Sequence, residues 1–102
     1  MVLVESGPWS GSIDSHLSRL QERLYGCVDA ALGGQLAEKF PESLGKQIVI
    51  DLECFNLPRD EVRAFFERFA DGVFSLGDYK DAPARSKYVR GISFAVNFDS
   101  IH

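Results

Sequence analysis

Hydrophobic and polar residues alternate with two distinct periods along this chain, and the switches between them outline the fold. Residues 46 to 55, "KQIVIDLECF", alternate with period two, so Ile48, Ile50, Leu52 and Cys54 point one way. Val49, Asp51, Glu53 and Phe55 point the other. "YVRGISFAVNFD" predicts a second strand: Tyr88, Arg90, Ile92, Phe94, Val96 and Phe98 share one face, and Val89, Gly91, Ser93, Ala95, Asn97 and Asp99 the opposite one. Near the start, "VLVE" is long enough only for an edge strand before the turn at "SGPWSGS".

Between these runs the period lengthens to that of a helix. Leu17, Leu20, Leu24, Cys27, Val28, Ala31 and Leu32 recur at spacings of three and four, behind an N-cap at Ser12 or Asp14. Gly33 and Gly34 end or bend this helix, each costing it about 1 kcal/mol relative to alanine. "QLAEKF" adds a turn or two before Pro41 stops it. A second helix follows Asn56 as cap, with Pro58 in its first turn and Asp60 and Glu61 at its positive end. Val62, Phe65, Phe66, Phe69 and Val73 form its apolar stripe. Residues 75 to 87, "SLGDYKDAPARSK", read as a long polar connection.

The resulting order is (β)αβαβ. It predicts an α/β fold of the α+β type, a two-layer sandwich in which two helices pack on one face of a small sheet. At 102 residues the chain is expected to be a single domain, 1–102, with aromatic residues enough for a core. A domain of this size leaves little room for a large substrate cleft.

Charge changes the picture more than composition does. A net charge of -4 and a pI near 5.0 argue against direct nucleic-acid binding and suit a basic protein partner. The first twelve residues lack the basic start and apolar stretch of a signal peptide, and no apolar run could span a membrane, so a cytoplasmic setting is expected. Cys27 and Cys54 have neither C-x-x-C nor zinc-type spacing and read as core thiols.

The candidate chemistry lies on the strand faces turned away from the helices. If the two long strands share a sheet, Val49, Asp51, Glu53, Phe55, Ser93, Asn97 and Asp99 gather on its uncovered face. Antiparallel sheets often leave one face wet, so plain solvent exposure explains the alternation. A docking surface explains it together with the apolar neighbours, because binding patches set apolar anchors among polar groups.

A catalytic site fits less well. Asp51, Glu53 and Asp99 could serve a small metal-dependent hydrolase, but a nuclease of the restriction type wants a lysine where Phe55 stands. Glycosidases hold two carboxylates across a cleft rather than side by side on a strand. His16 reads as a solvated helix-start residue, and neither it nor His102 has zinc-type company. No metal ligand set, cofactor motif, phosphate loop or catalytic elbow is evident.

A second candidate is the basic connection. Tyr79, Lys80, Arg85 and Lys87 could grip a phosphate or an acidic surface, although such charge runs are commonly solvated loops. With its short acidic α/β build and the patch at Val49, Asp51, Glu53 and Phe55, the whole chain resembles small bacterial immunity proteins of contact-dependent inhibition and polymorphic toxin systems. That resemblance implies a non-enzymatic inhibitor that binds one cationic toxin domain, often a nuclease, and occludes its active site. The free protein is expected to be a monomer or weak dimer. A regulatory or dimerisation module using the same face is the remaining alternative.

Overall fold

The run that alternates most cleanly forms the central strand. A computed structural model of the chain describes residues 1–75 and 77–99, so His102 lies outside the described residues. Strand β1 is Val2–Ser6, β2 is Lys46–Phe55 and β3 is Val89–Phe98. They form one sheet in the order β1-β2-β3, and both pairings are parallel. The antiparallel arrangement behind the wet-face expectation is therefore not the one adopted. Parallel neighbours cannot be joined by a tight turn and need a crossover. Helix α1, Ile13–Leu32, supplies the first crossover, and α3, Arg59–Gly72, the second.

Burial follows the predicted stripes. Leu20, Leu24 and Val28 of α1 join Val62, Phe66 and Phe69 of α3 against Ile50, Leu52 and Cys54 of β2. Ile92, Phe94, Val96 and Phe98 pack on the same cluster and are partly buried. Each fully buried leucine contributes about 1.5–3 kcal/mol over an exposed one. Phe94 orients the second helix, since Phe66 and Phe69 meet its ring edge-on at 6.1 and 5.6 Å. Such edge-to-face pairs add about 0.5–1.5 kcal/mol beyond the area they bury.

Three local expectations need correction. Arg90 does not share the helix-facing side of β3: Lys46 pairs with Val89 but Gln47 pairs with Gly91, leaving Arg90 as an extra residue in a bulge. Val89 therefore turns inward and is buried with Ala31 and Ile48. Asn56 does not cap α3; Pro58 holds the N-cap position. Asn56 instead takes the left-handed conformation at φ 58°, which asparagine tolerates, and its N–H donates to Asp99 Oδ1 at 3.1 Å.

Ser12 does occupy the N-cap of α1, but its side chain makes no capping bond. Finally, the connection after α3 is not without structure. It contains a 3-10 turn, Gly77–Tyr79, and a short helix α4, Ala82–Arg85. Gly33 and Gly34 end α1 as expected, and helix α2, Gln35–Lys39, follows before a 3-10 turn at Pro41–Ser43. Gly34 lies at φ +93°, and a Cβ there would stand 2.8 Å from the Tyr88 ring, so only glycine fits. No helix among the described residues is long and apolar enough to cross a membrane.

Candidate functional site: the open face of the sheet

Because strand side chains alternate, the residues between the core positions of β2 emerge together on the face opposite the helices. The register assembles them in rows. Val49 lies beside Ser93; Asp51 lies between Val2 and Ala95; Glu53 lies between Val4 and Asn97; Phe55 lies beside Ser6. Six of the seven residues singled out thus share one face, and the seventh, Asp99, lies just past the end of β3.

One side chain organises the acidic pair. Asn97 Nδ2 donates to Glu53 Oε2 at 2.7 Å and to Asp51 Oδ1 at 3.1 Å, so a single amide bridges both carboxylates. This corrects the expectation that both acids stand exposed. Glu53 is only 5% exposed and Asp51 is half-buried. Bonds to a charged acceptor contribute about 1.5–3 kcal/mol, roughly twice a neutral bond. Apolar surface is also displayed on this face, where Val2 is 68%, Val4 50% and Val49 45% accessible beside exposed Ser6, Gln47 and Ser93.

Asp99 has a structural task. At φ 53° it turns the chain, accepts from Asn56 and donates its own N–H to the Cys54 carbonyl at 2.7 Å. Among the described residues, no group of three or more His, Cys, Asp or Glu side chains stands close enough to hold a metal ion. Asp51, Glu53 and Asp99 therefore do not gather as the hydrolase alternative requires.

The structure does not bring the basic connection to this face. Tyr79 donates to Asp29 Oδ1 of α1 at 2.6 Å and packs on Tyr25, which ties the connection to the helical side. Arg85 donates to the Lys80 carbonyl at 2.6 Å, closing its own turn. The Lys80 and Lys87 side chains are exposed. His16 is not simply solvated either. It stacks on Trp9 with ring centroids 4.9 Å apart, and Nε2 donates to the Ser10 carbonyl at 2.6 Å.

Sequence reasoning missed β1's share of the face and the role of Glu5. Val2 and Val4 reach the open face, whereas Leu3 and Glu5 turn toward the helices. Glu5 is buried there and forms ion pairs with Arg19, at 3.3 Å, and Arg23. Arg23 also donates to the Val4 carbonyl at 3.1 Å, at the otherwise unpaired edge of the sheet. The signal was present in the spacing: an acid on the core side of "VLVES" needs cations, and Arg19 and Arg23 stand one helical turn apart.

Both cysteines are free. Burial pushes the Cys54 thiol up to about 11, with Glu5, Glu53 and Asp99 adding to the rise by repelling a thiolate. Burial raises Cys27 as well, and the Arg23 charge opposes it. Neither is primed as a nucleophile. In comparisons with protein families, curated proteins and solved structures, the chain finds no match.

Proposed function

We propose that this chain is an acidic, non-enzymatic binding protein that docks a cationic partner on the open face of its sheet. A bacterial toxin domain, such as a nuclease, is the partner class, and the protein neutralises it in the cytoplasm as an immunity protein does. In this reading the chain is a two-layer sandwich of (β)αβαβ order, with α1 and α3 forming one layer and the sheet the other.

One observation carries the reading. All-parallel sheets are found almost entirely with both faces covered, yet here one face displays Val2, Val4 and Val49 to solvent. A partner supplies the missing cover. The valines act as desolvated anchors, while the carboxylates steer and orient lysine or arginine side chains. Glu53, held by Asn97, fixes the geometry of the pair, and the more accessible Asp51 meets the partner.

Co-expression with a basic toxin domain encoded beside this protein tests the proposal. The double variant Val49→Asp, Asp51→Lys should fold normally and lose protection, because both positions lie outside the helix-facing core. Full protection by that folded variant would overturn the proposal. Gel filtration of the free protein addresses self-association: a stable dimer dissociated by the same double variant would assign the face to dimerisation instead.

A further inference from the structure

Three of the exposed large hydrophobic residues, Val2, Phe40 and Val49, border one groove. Val2, Val4 and Val49 lie on the open face, and Phe40 and Leu44 flank the chain's entry into β2. Such clustering marks interaction surfaces more often than isolated exposed residues do. Between them runs a groove of about 570 Å³, bordered by Met1, Val2, Leu36, Phe40, Ile48 and Val49. Its apolar wall passes directly into the open face through Val2 and Val49. Phe40 is 51% exposed, so its ring lines the groove without being needed to close the core.

Polar groups border the same groove. Ser43 Oγ is buried and has no hydrogen-bond partner, and the Gln47 side chain lies alongside. The backbone contributes too. Val49 C=O and Asp51 N–H both point toward β1, so alternation turns the N–H and C=O of Gln47 to that side as well. The groove therefore combines an apolar floor with groups suited to an extended peptide backbone.

We propose that this groove is the anchor pocket for the cationic partner, taking an aromatic or large aliphatic side chain on an extended segment whose next same-facing residues are basic. The inference rests on the docking reading of the open face and adds the chemistry of the occupant. Charge complementarity sets the order. Val49, Asp51 and Glu53 follow one another on one face of β2, and each step of two residues covers about 7 Å. An extended segment with its anchor beside Val49 carries its next side chains, at the same spacing, over Asp51 and Glu53. The half-buried Asp51 meets the first of these side chains, while Glu53, buried beside Asn97, adds negative potential under the second, so both positions favour lysine or arginine.

Three blocked pentapeptides test this by amide chemical-shift titration at low ionic strength. Phe-Ser-Lys-Ser-Lys should shift Leu36, Phe40, Gln47, Val49 and Asp51 together. Ser-Ser-Lys-Ser-Lys, lacking the anchor, should bind at least about fivefold more weakly, as should wild-type probe on the Phe40→Ala variant. Phe-Ser-Glu-Ser-Glu should be weaker by a similar factor. Equal binding of both lysine peptides, with shifts confined to Asp51 and Glu53, would overturn the anchor pocket and leave the docking face standing. Equal binding of the glutamate peptide would overturn the basic-partner reading beneath it. No groove shifts from the phenylalanine peptide at about 5 mM would overturn the anchor pocket, because even a weak peptide pocket is detectable there.

Discussion

Two faces of the same strand meet different fates in this molecule. On one, Ile50, Leu52 and Cys54 of β2 vanish beneath α1 and α3. On the other, Val49 stays accessible while Asp51 and Glu53 are tied together by Asn97. Both faces contain apolar residues, so hydrophobicity alone does not distinguish them. What differs is cover. The helical face is covered within the chain, whereas the open face is internally organised yet leaves Val2, Val4 and Val49 accessible among exposed polar residues.

The sharpest way to test that contrast is to truncate a residue on each side. Leu52→Ala should cost about 2–5 kcal/mol by leaving a cavity under the helices. Val49→Ala, three residues away on the opposite face of the same strand, should cost within about 0.5 kcal/mol, as surface substitutions do. Urea unfolding of both variants measures the difference, and equal losses would erase the distinction between the faces.

A second effect concerns the buried acid at the sheet edge. Replacing both Arg19 and Arg23 by methionine should cost about 2–3 kcal/mol, less than the ~3–5 expected for a wholly buried pair. The reduction reflects arginine side chains that are themselves half exposed. Glu5→Leu should cost less than that double variant, because it leaves hydrated cations rather than a buried unpaired carboxylate. The reverse order in thermal melts would show that Glu5 packing, not charge compensation, holds β1.

On the open face, Asn97→Ala should cost about 1–3 kcal/mol, since it withdraws a donor from a buried carboxylate. Adding Glu53→Gln should recover part of that loss by removing the charge. No recovery would mean the amide acts by packing alone.

A last effect is on pH dependence. The Cys54 thiol keeps its proton in the folded chain to about 11 but ionises near 9.0 when unfolded. The unfolded state therefore releases its proton first, and the stabilisation present below pH 9.0 fades as pH rises toward 11. Denaturation across that range should show a smaller decline for Cys54→Val than for the parent chain. Parallel declines would remove Cys54 from the account.

Much of this architecture was legible from periodicity. The bounds of β2, the stripes of α1 and α3, and the gathering of Val49, Asp51, Glu53, Ser93 and Asn97 on one face all follow from alternation. Three features escaped for physical reasons. A bulge at Arg90 shifts the strand period by one residue, which no fixed alternation anticipates. Parallel or antiparallel pairing depends on how crossovers pack, not on strand composition. The burial of Glu53 depends on a cross-strand neighbour, since only the register brings Asn97 to it. The groove was invisible for a related reason: its walls come from β1, α2, β2 and the turn between α2 and β2, which no short sequence window joins.

The claim that the open face is a docking surface is tested most directly by calorimetric titration of the folded protein with a basic toxin domain encoded beside it. Asp51→Lys on the open face should weaken binding at least about tenfold, whereas Glu67→Lys on exposed α3, an identical change in net charge, should alter it less than about twofold. Equal effects from the two substitutions would show that only overall charge matters, and would contradict a docking site on this face.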